Sequence, residues 1–201
     1  MKPSPISPEA LQAGLVERVL ALGTPALVLV DGAPPAGPGA LAQSLADALR
    51  AHGRATLHVD SHQYWRDASV RLEYGREDVD SYLDWVDGPA LHREVVAPLR
   101  DGQPVLPSLR DPVSNRSTRA APVPADLVII SGELLLQHDL DPDLIIHLAL
   151  SPAGLARRMR PEQEWTLPAF ERYDAVHRPI SRGDVVVRCD DARHPAVIGL
   201  R

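Results

Sequence analysis

Five consecutive apolar residues, Ala26-Leu27-Val28-Leu29-Val30, run directly into Asp31-Gly32 and a stretch crowded with glycine and proline. A short apolar run without polar alternation suits a strand covered on both faces, as in a parallel sheet. Similar runs recur at residues 55–59, 127–130, 144–150 and 185–187. Helical spacing fills the gaps between them. Residues 40–52 place Leu41, Leu45, Ala48 and Leu49 on one side and stop at Gly53, residues 85–99 carry Leu91, Val95 and Val96, and a further helix begins at Pro152. An earlier helix opens at Ser7-Pro8-Glu9, where Ser can cap, Pro loses no needed N–H and an acid meets the positive dipole end. Strands alternating with helices predict an α/β fold, a doubly wound, mostly parallel five-stranded sheet flanked by helices. Residues 1–201 read as one domain, with a loose arm over 1–6 and an aperiodic loop over 101–125.

Charge and cysteine content narrow the function classes. The 201 residues carry 21 Lys plus Arg against 27 Asp plus Glu, a net charge of −6, which is a poor surface for neutralising phosphates and argues against a nucleic-acid partner. Lys2 is the only lysine, so almost all positive charge is arginine. A single cysteine, Cys189, permits no internal disulfide, and the eight histidines show no ligand spacing, so no metal site is expected. No apolar run approaches the ~18 residues of a membrane span, and the opening MKPSPISPEA lacks a signal-peptide core. The expectation is a cytoplasmic protein without a membrane partner, with a homo-oligomer left open.

In doubly wound sheets the ligand sits beyond the carboxyl ends of the strands. There, Gly32-Ala33-Pro34-Pro35-Ala36-Gly37-Pro38-Gly39 reproduces the glycine spacing of the phosphate-binding loop G-x-x-x-x-G-K-[ST] but not its chemistry. Pro38 stands at the lysine position and Gly39 at the metal-holding hydroxyl. Across nearly its full length the chain resembles the P-loop uridine kinase-like proteins of high-GC bacteria. The landmarks are VLVDG, HVDSHQYW, RLEYGREDVDSYLDW, VDGPALHREVVAPL, LPSLRDPVSNRSTRA, LVIISGELLL, LALSPAGLARR, EWTLPAFERY and DVVVRCDDARHP. The resemblance implies a nucleoside-kinase fold and small-molecule kinase ancestry. It also implies an acidic residue where Ser131 stands. Lysine, hydroxyl and metal-holding acid are thus all missing from Gly32, Gly37, Pro38, Gly39 and Ser131, and Pro34 and Pro35 remove further N–H donors.

The acceptor half is better preserved. The resemblance places Asp60 where the family accepts the proton of the attacking hydroxyl, and His62 beside it makes an acid/base pair. Glu133 would supply a second carboxylate whose proximity pushes one of the two pKa values up. Tyr64, Trp65, Arg71, Tyr74, Arg76, Tyr82 and Trp85 form an aromatic–arginine cluster suited to stacking and anion clamping. Asp31 and Arg110 join them as candidate ligand contacts, as do Arg157, Arg158 and Arg160, which align with the family's lid over 152–175. The favoured reading is a kinase-fold enzyme that performs ATP-independent acid/base chemistry on a small anionic or nucleoside-like metabolite, with no cofactor. Two alternatives stand beside it: a kinase that holds ATP and Mg through arginines, and a non-catalytic binding module.

Overall fold

The computed structural model describes residues 3–191 and 193–200, so Lys2 lies outside the described residues. A seven-stranded sheet runs through the protein in the order β1-β7-β6-β5-β2-β4-β3. The five expected strands are its parallel part: β2 (Ala26–Gly32), β3 (Thr56–Asp60), β4 (Leu127–Gly132), β5 (Leu144–Ala149) and β6 (Val185–Arg188). The expected count of five is corrected by an antiparallel edge formed by β1 (Ser4–Pro5) and β7 (Ala196–Ile198). Within the arm expected to be loose, Ser4 and Pro5 pair with β7, and the Ile6 N–H donates to the Pro195 carbonyl at 3.0 Å. Ser4-Pro5 has no apolar run, and of the three apolar residues of β7 only Val197 is buried, as suits a short edge.

Alternate residues of β2 enter two separate cores. Leu27 and Leu29 face one side, and Ala26, Val28 and Val30 face the other. The second core is closed by α1 (Pro8–Leu20) and α2 (Pro38–Ala51), through Leu15, Val19, Leu45 and Leu49. Ser7 caps α1 as expected, its Oγ accepting the Ala10 N–H at 3.2 Å.

The first core lies under a short-helix layer of α3 (Ala68–Arg71), α4 (Val79–Leu83) and a longer bent helix. That helix runs through α5 (Gly88–Leu91), a π-turn at His92–Val96 and α6 (Ala97–Arg100). Pro98 explains part of its irregularity. It cannot donate to the Glu94 carbonyl four residues back, and that carbonyl instead accepts the Leu106 N–H at 3.1 Å.

The aperiodic 101–125 segment is tied by two antiparallel bridges, Val105 with Val123 and Arg110 with Ser117. The expected lid region consists of α7 (Pro152–Arg158), a 3-10 turn at Pro161–Thr166 and α8 (Leu167–His177), followed by α9 (Pro179–Arg182). Among the described residues, no helix is long and apolar enough to cross a membrane.

The chain passes from β2 to β3 on one flank, and β5 then pairs on the other side of β2, so strand order reverses beside β2. The crevice at those carboxyl ends is where such sheets bind ligands. Its floor is tightly packed. Gly132, at φ +156°, leaves room for the fully buried Ser61 hydroxyl, which a Cβ at this position would overlap. Gly132→Ala is therefore expected to destabilise the fold by about 1–3 kcal/mol, read as a shift in urea midpoint. Adding Ser61→Gly to that variant should recover part of the loss.

Candidate active site

Asp60 ends β3 and caps the 3-10 turn Ser61–Tyr64, its Oδ1 accepting the His62 N–H at 3.0 Å. The turn swings His62 across to β4, where Glu133 follows the last strand residue. His62 Nε2 lies 2.8 Å from Glu133 Oε2 and 3.0 Å from Oε1, and the Tyr82 hydroxyl donates to Oε1 at 3.2 Å. The other ring nitrogen, Nδ1, lies 3.4 Å from Asp60 Oδ1. Burial alone lowers an imidazole pKa, but the Glu133 charge, its hydrogen bond and the Asp60 charge outweigh it and raise His62 to about 9. Burial would likewise raise Glu133, yet the His62 cation and its hydrogen bond hold the carboxyl below its usual range. This corrects the expectation that two carboxylates crowd each other: an imidazolium stands between them, and Glu133 stays ionised.

Against this pair rises an aromatic wall. Trp65 lies 4.5 Å from His62 and 5.1 Å from Trp85, and Tyr82 lies 5.0 Å from Trp85 and 5.3 Å from Trp165 (ring centroids). Arg71 is buried with its guanidinium over both Trp65 and Trp85, at 4.8 and 4.7 Å from their centroids. Trp165, from the 3-10 turn before α8, escapes sequence reading because no local pattern links it to Tyr82, some eighty residues earlier.

The phosphate loop is a 3-10 turn, Pro34–Ala36, with Gly37 left-handed at φ +79°. The Ala36 N–H donates to the Ala33 carbonyl at 2.8 Å and the Gly37 N–H to the Pro34 carbonyl at 3.0 Å. With Pro34, Pro35 and Pro38 having no N–H, five of the eight residues from Gly32 to Gly39 offer a ligand no free amide. Ser131, fully buried, heads a polar chain in place of a metal-holding acid. His58 Nε2 lies 2.8 Å from Ser131 Oγ, His58 Nδ1 lies 3.1 Å from Gln43 Oε1, and Gln43 Nε2 donates to Asp47 at 3.0 Å. Burial lowers the His58 pKa, so the ring is neutral, with Nδ1–H donating to Gln43 and Nε2 accepting from the serine. Ser131 is thereby satisfied by a neutral imidazole rather than facing a charged group. Among the described residues no group of three or more His, Cys, Asp or Glu could hold a metal ion.

Other candidates lie elsewhere. Asp31 is fully buried, accepting the Leu135 N–H at 2.9 Å and sitting 2.8 Å from His147 Nδ1, so it serves the fold rather than the crevice. Tyr64 is also fully buried, its hydroxyl donating to the Leu106 carbonyl at 2.6 Å. Tyr74 and Arg76 are exposed. Arg110 pairs with Asp67 at 3.1 Å. In the lid, Arg158 donates to the Cys189 and Asp190 carbonyls, Arg160 to Gln163, and Arg157 is exposed. Cys189 is half-buried, with burial pushing its thiol up to about 11.

The His62–Glu133 pair fixes a pH signature. A raised histidine stabilises fully below its unfolded pKa of about 6.5 and loses this as pH climbs through about 9. A depressed carboxyl stabilises above its unfolded value of 4.5 and loses this as pH falls through its folded value. Stability in urea should therefore fall from about pH 6.5 to 9, and Glu133→Gln should flatten that slope. A wild-type profile level over this range would exclude the imidazolium.

No protein-family model matches the chain, and no curated protein does. Solved structures do. A protein described as a "Possible Uridine Kinase" from Bacillus stearothermophilus superposes with a TM-score of 0.73 at 19% identity, covering 89% of this chain and 97% of that one. A protein named as a fructose transport system kinase, from Silicibacter sp. TM1040, matches with a TM-score of 0.57 at 24% identity, covering 86% and 87%. With the strand order and crevice described above, these likenesses show that the chain has the P-loop kinase-like fold.

Proposed function

We propose that this chain has given up phosphoryl transfer from ATP and uses the acceptor end of its crevice for proton transfer on a small anionic or nucleoside-like metabolite. The observation that carries this reading is the phosphate loop, which bonds to itself. Phosphoryl transfer depends on positioning and charge neutralisation by loop amides, a lysine and a metal. Here Pro38 and Gly39 hold the lysine and hydroxyl positions, the Ala36 and Gly37 amides are engaged within the loop, and Ser131 is bonded to a neutral His58. The residues present do not fit Mg·ATP, and no step is assigned to it.

The roles at the other end follow from charge. With a pKa of about 9, His62 is an imidazolium at neutral pH and acts as proton donor and electrostatic anchor rather than as base. Asp60, whose side chain is 41% exposed, reaches the crevice and is the proton acceptor. Glu133 touches His62 and not the solvent, and holds the ring charged and oriented. The two kinds of group needed for moving a proton between neighbouring atoms of a bound metabolite are therefore side by side. The kinase names of structurally similar proteins agree with a crevice that once took a hydroxylated acceptor.

Calorimetric titration with Mg·ATP tests the reading. No saturable heat is expected at millimolar nucleotide, and tight, metal-dependent binding would overturn it in favour of a working kinase. In a screen of metabolites for turnover, Asp60→Asn should lower kcat by about 10²-fold or more while leaving the urea midpoint near wild type. Turnover unaffected by that substitution would remove Asp60 from its role.

A further inference from the structure

A cavity of about 490 Å³ opens between α3 and α4, and Arg71 lines it. Arg71 is 7% exposed, its Nε donating to the Arg66 carbonyl at 2.9 Å and its guanidinium set against the adjoining Trp65 and Trp85 rings, whose centroids lie 5.1 Å apart. Neither of its two Nη groups has an acceptor, and no carboxylate pairs with it, among the described residues. Neither Nη nitrogen is among the enclosed unpartnered atoms, so the donor edge stays open to a ligand while the rest of the side chain is buried. Held in place and with its Nη edge free, it is shaped to donate two parallel hydrogen bonds to a carboxylate or phosphate.

The rest of the cavity decides between the two anions. Arg66 is already bound to Asp84 at 3.3 Å, and Asp80 to Arg172 at 2.6 Å. Asp78 caps α4 at the Ser81 N–H, and Glu73 has no cationic partner among the described residues. Two arginines thus face four carboxylates around the cavity. A dianionic phosphate would meet stronger repulsion there than a monocarboxylate, whose one charge Arg71 neutralises and whose hydrogen-bond donors at the other end meet the rim carboxylates.

From the free edge of Arg71 within this acidic rim we infer a binding site for a small monocarboxylic acid, amino or hydroxy acid in kind, whose carboxylate docks on Arg71 and whose amine or hydroxyl groups face Glu73 and Asp78. The site stands apart from the proton chemistry proposed for Asp60 and His62, since neither of them nor Glu133 lines this cavity. It needs no turnover to be detected.

All three tryptophans of the chain belong to this wall, so intrinsic fluorescence reports on it directly. The purified protein is titrated with the common α-amino acids, lactate and gluconate, their carboxamides, and inorganic phosphate. At least one acid should give a saturable change, with its amide and phosphate at least tenfold weaker. Arg71→Lys should weaken that acid at least tenfold at an unchanged thermal midpoint. Glu73→Gln, at an exposed position, should weaken amino acids and spare hydroxy acids, which identifies the donor end. Asp60→Asn should leave the response intact, so failure here is distinct from failure of the proton-transfer reading. Absence of a saturable response to every acid, equal binding of the amide, or full binding by Arg71→Lys would each overturn the inference. If Arg71→Lys does not fold, the acid-against-amide comparison on the unaltered chain decides it alone.

Discussion

A carboxylate carried into the interior of a protein must be neutralised or protonated, and Glu133 is neutralised by His62. This contact orders much of what surrounds it. Because His62 is drawn to Glu133, the turn after β3 crosses to β4, and Asp60 is left at the crevice with one oxygen engaged by the His62 amide. Tyr82 completes the carboxylate's partners and so brings α4 against the site, and with it the Trp85 and Trp165 rings. One buried ion pair thereby joins two strand ends to the helical layer above them.

The other half of the crevice is governed by proline. In a P-loop the backbone amides converge on a phosphate because nothing inside the loop claims them. Prolines at 34, 35 and 38 remove three amides outright, and the 3-10 geometry they favour closes two more onto carbonyls of the same loop. On β4 the Ser131–His58–Gln43–Asp47 chain leaves no member unpaired, its solvent-facing end Asp47 being bonded to both Gln43 and Arg50. The two halves therefore differ in kind: the loop is closed on its own carbonyls, and the other end holds an ion pair beside an exposed carboxylate.

Much of this was legible from the residues alone. The five apolar runs marked the five parallel strands, because a strand covered on both faces leaves a continuous apolar signature. Ser7 announced the first helix, since capping is a local bond within one turn. Asp60, His62, Tyr82, Trp65, Trp85 and Arg71 were singled out by their position after a strand and their density in sequence. Asp31 and Tyr64 were singled out by the same criteria yet point inward, because which side of a strand end faces the crevice depends on what packs beneath it. His58 went unnoticed although it shares a strand face with Asp60, and its partners Gln43 and Ser131 lie on other elements. The two edge strands were missed because two or three residues are too few to show a strand period.

What the sequence by itself determined are properties that act over a few residues: alternation of strand and helix, caps, the glycine spacing of the loop and the loss of its lysine and hydroxyl. Those follow from backbone preferences and from the presence or absence of a functional group, which composition states outright. The charge state of the site was decided only by the tertiary structure. Whether Glu133 crowds Asp60 or is neutralised depends on where an imidazole seventy-one residues earlier comes to rest. Electrostatic energy follows distance and burial, and neither is written in the order of residues.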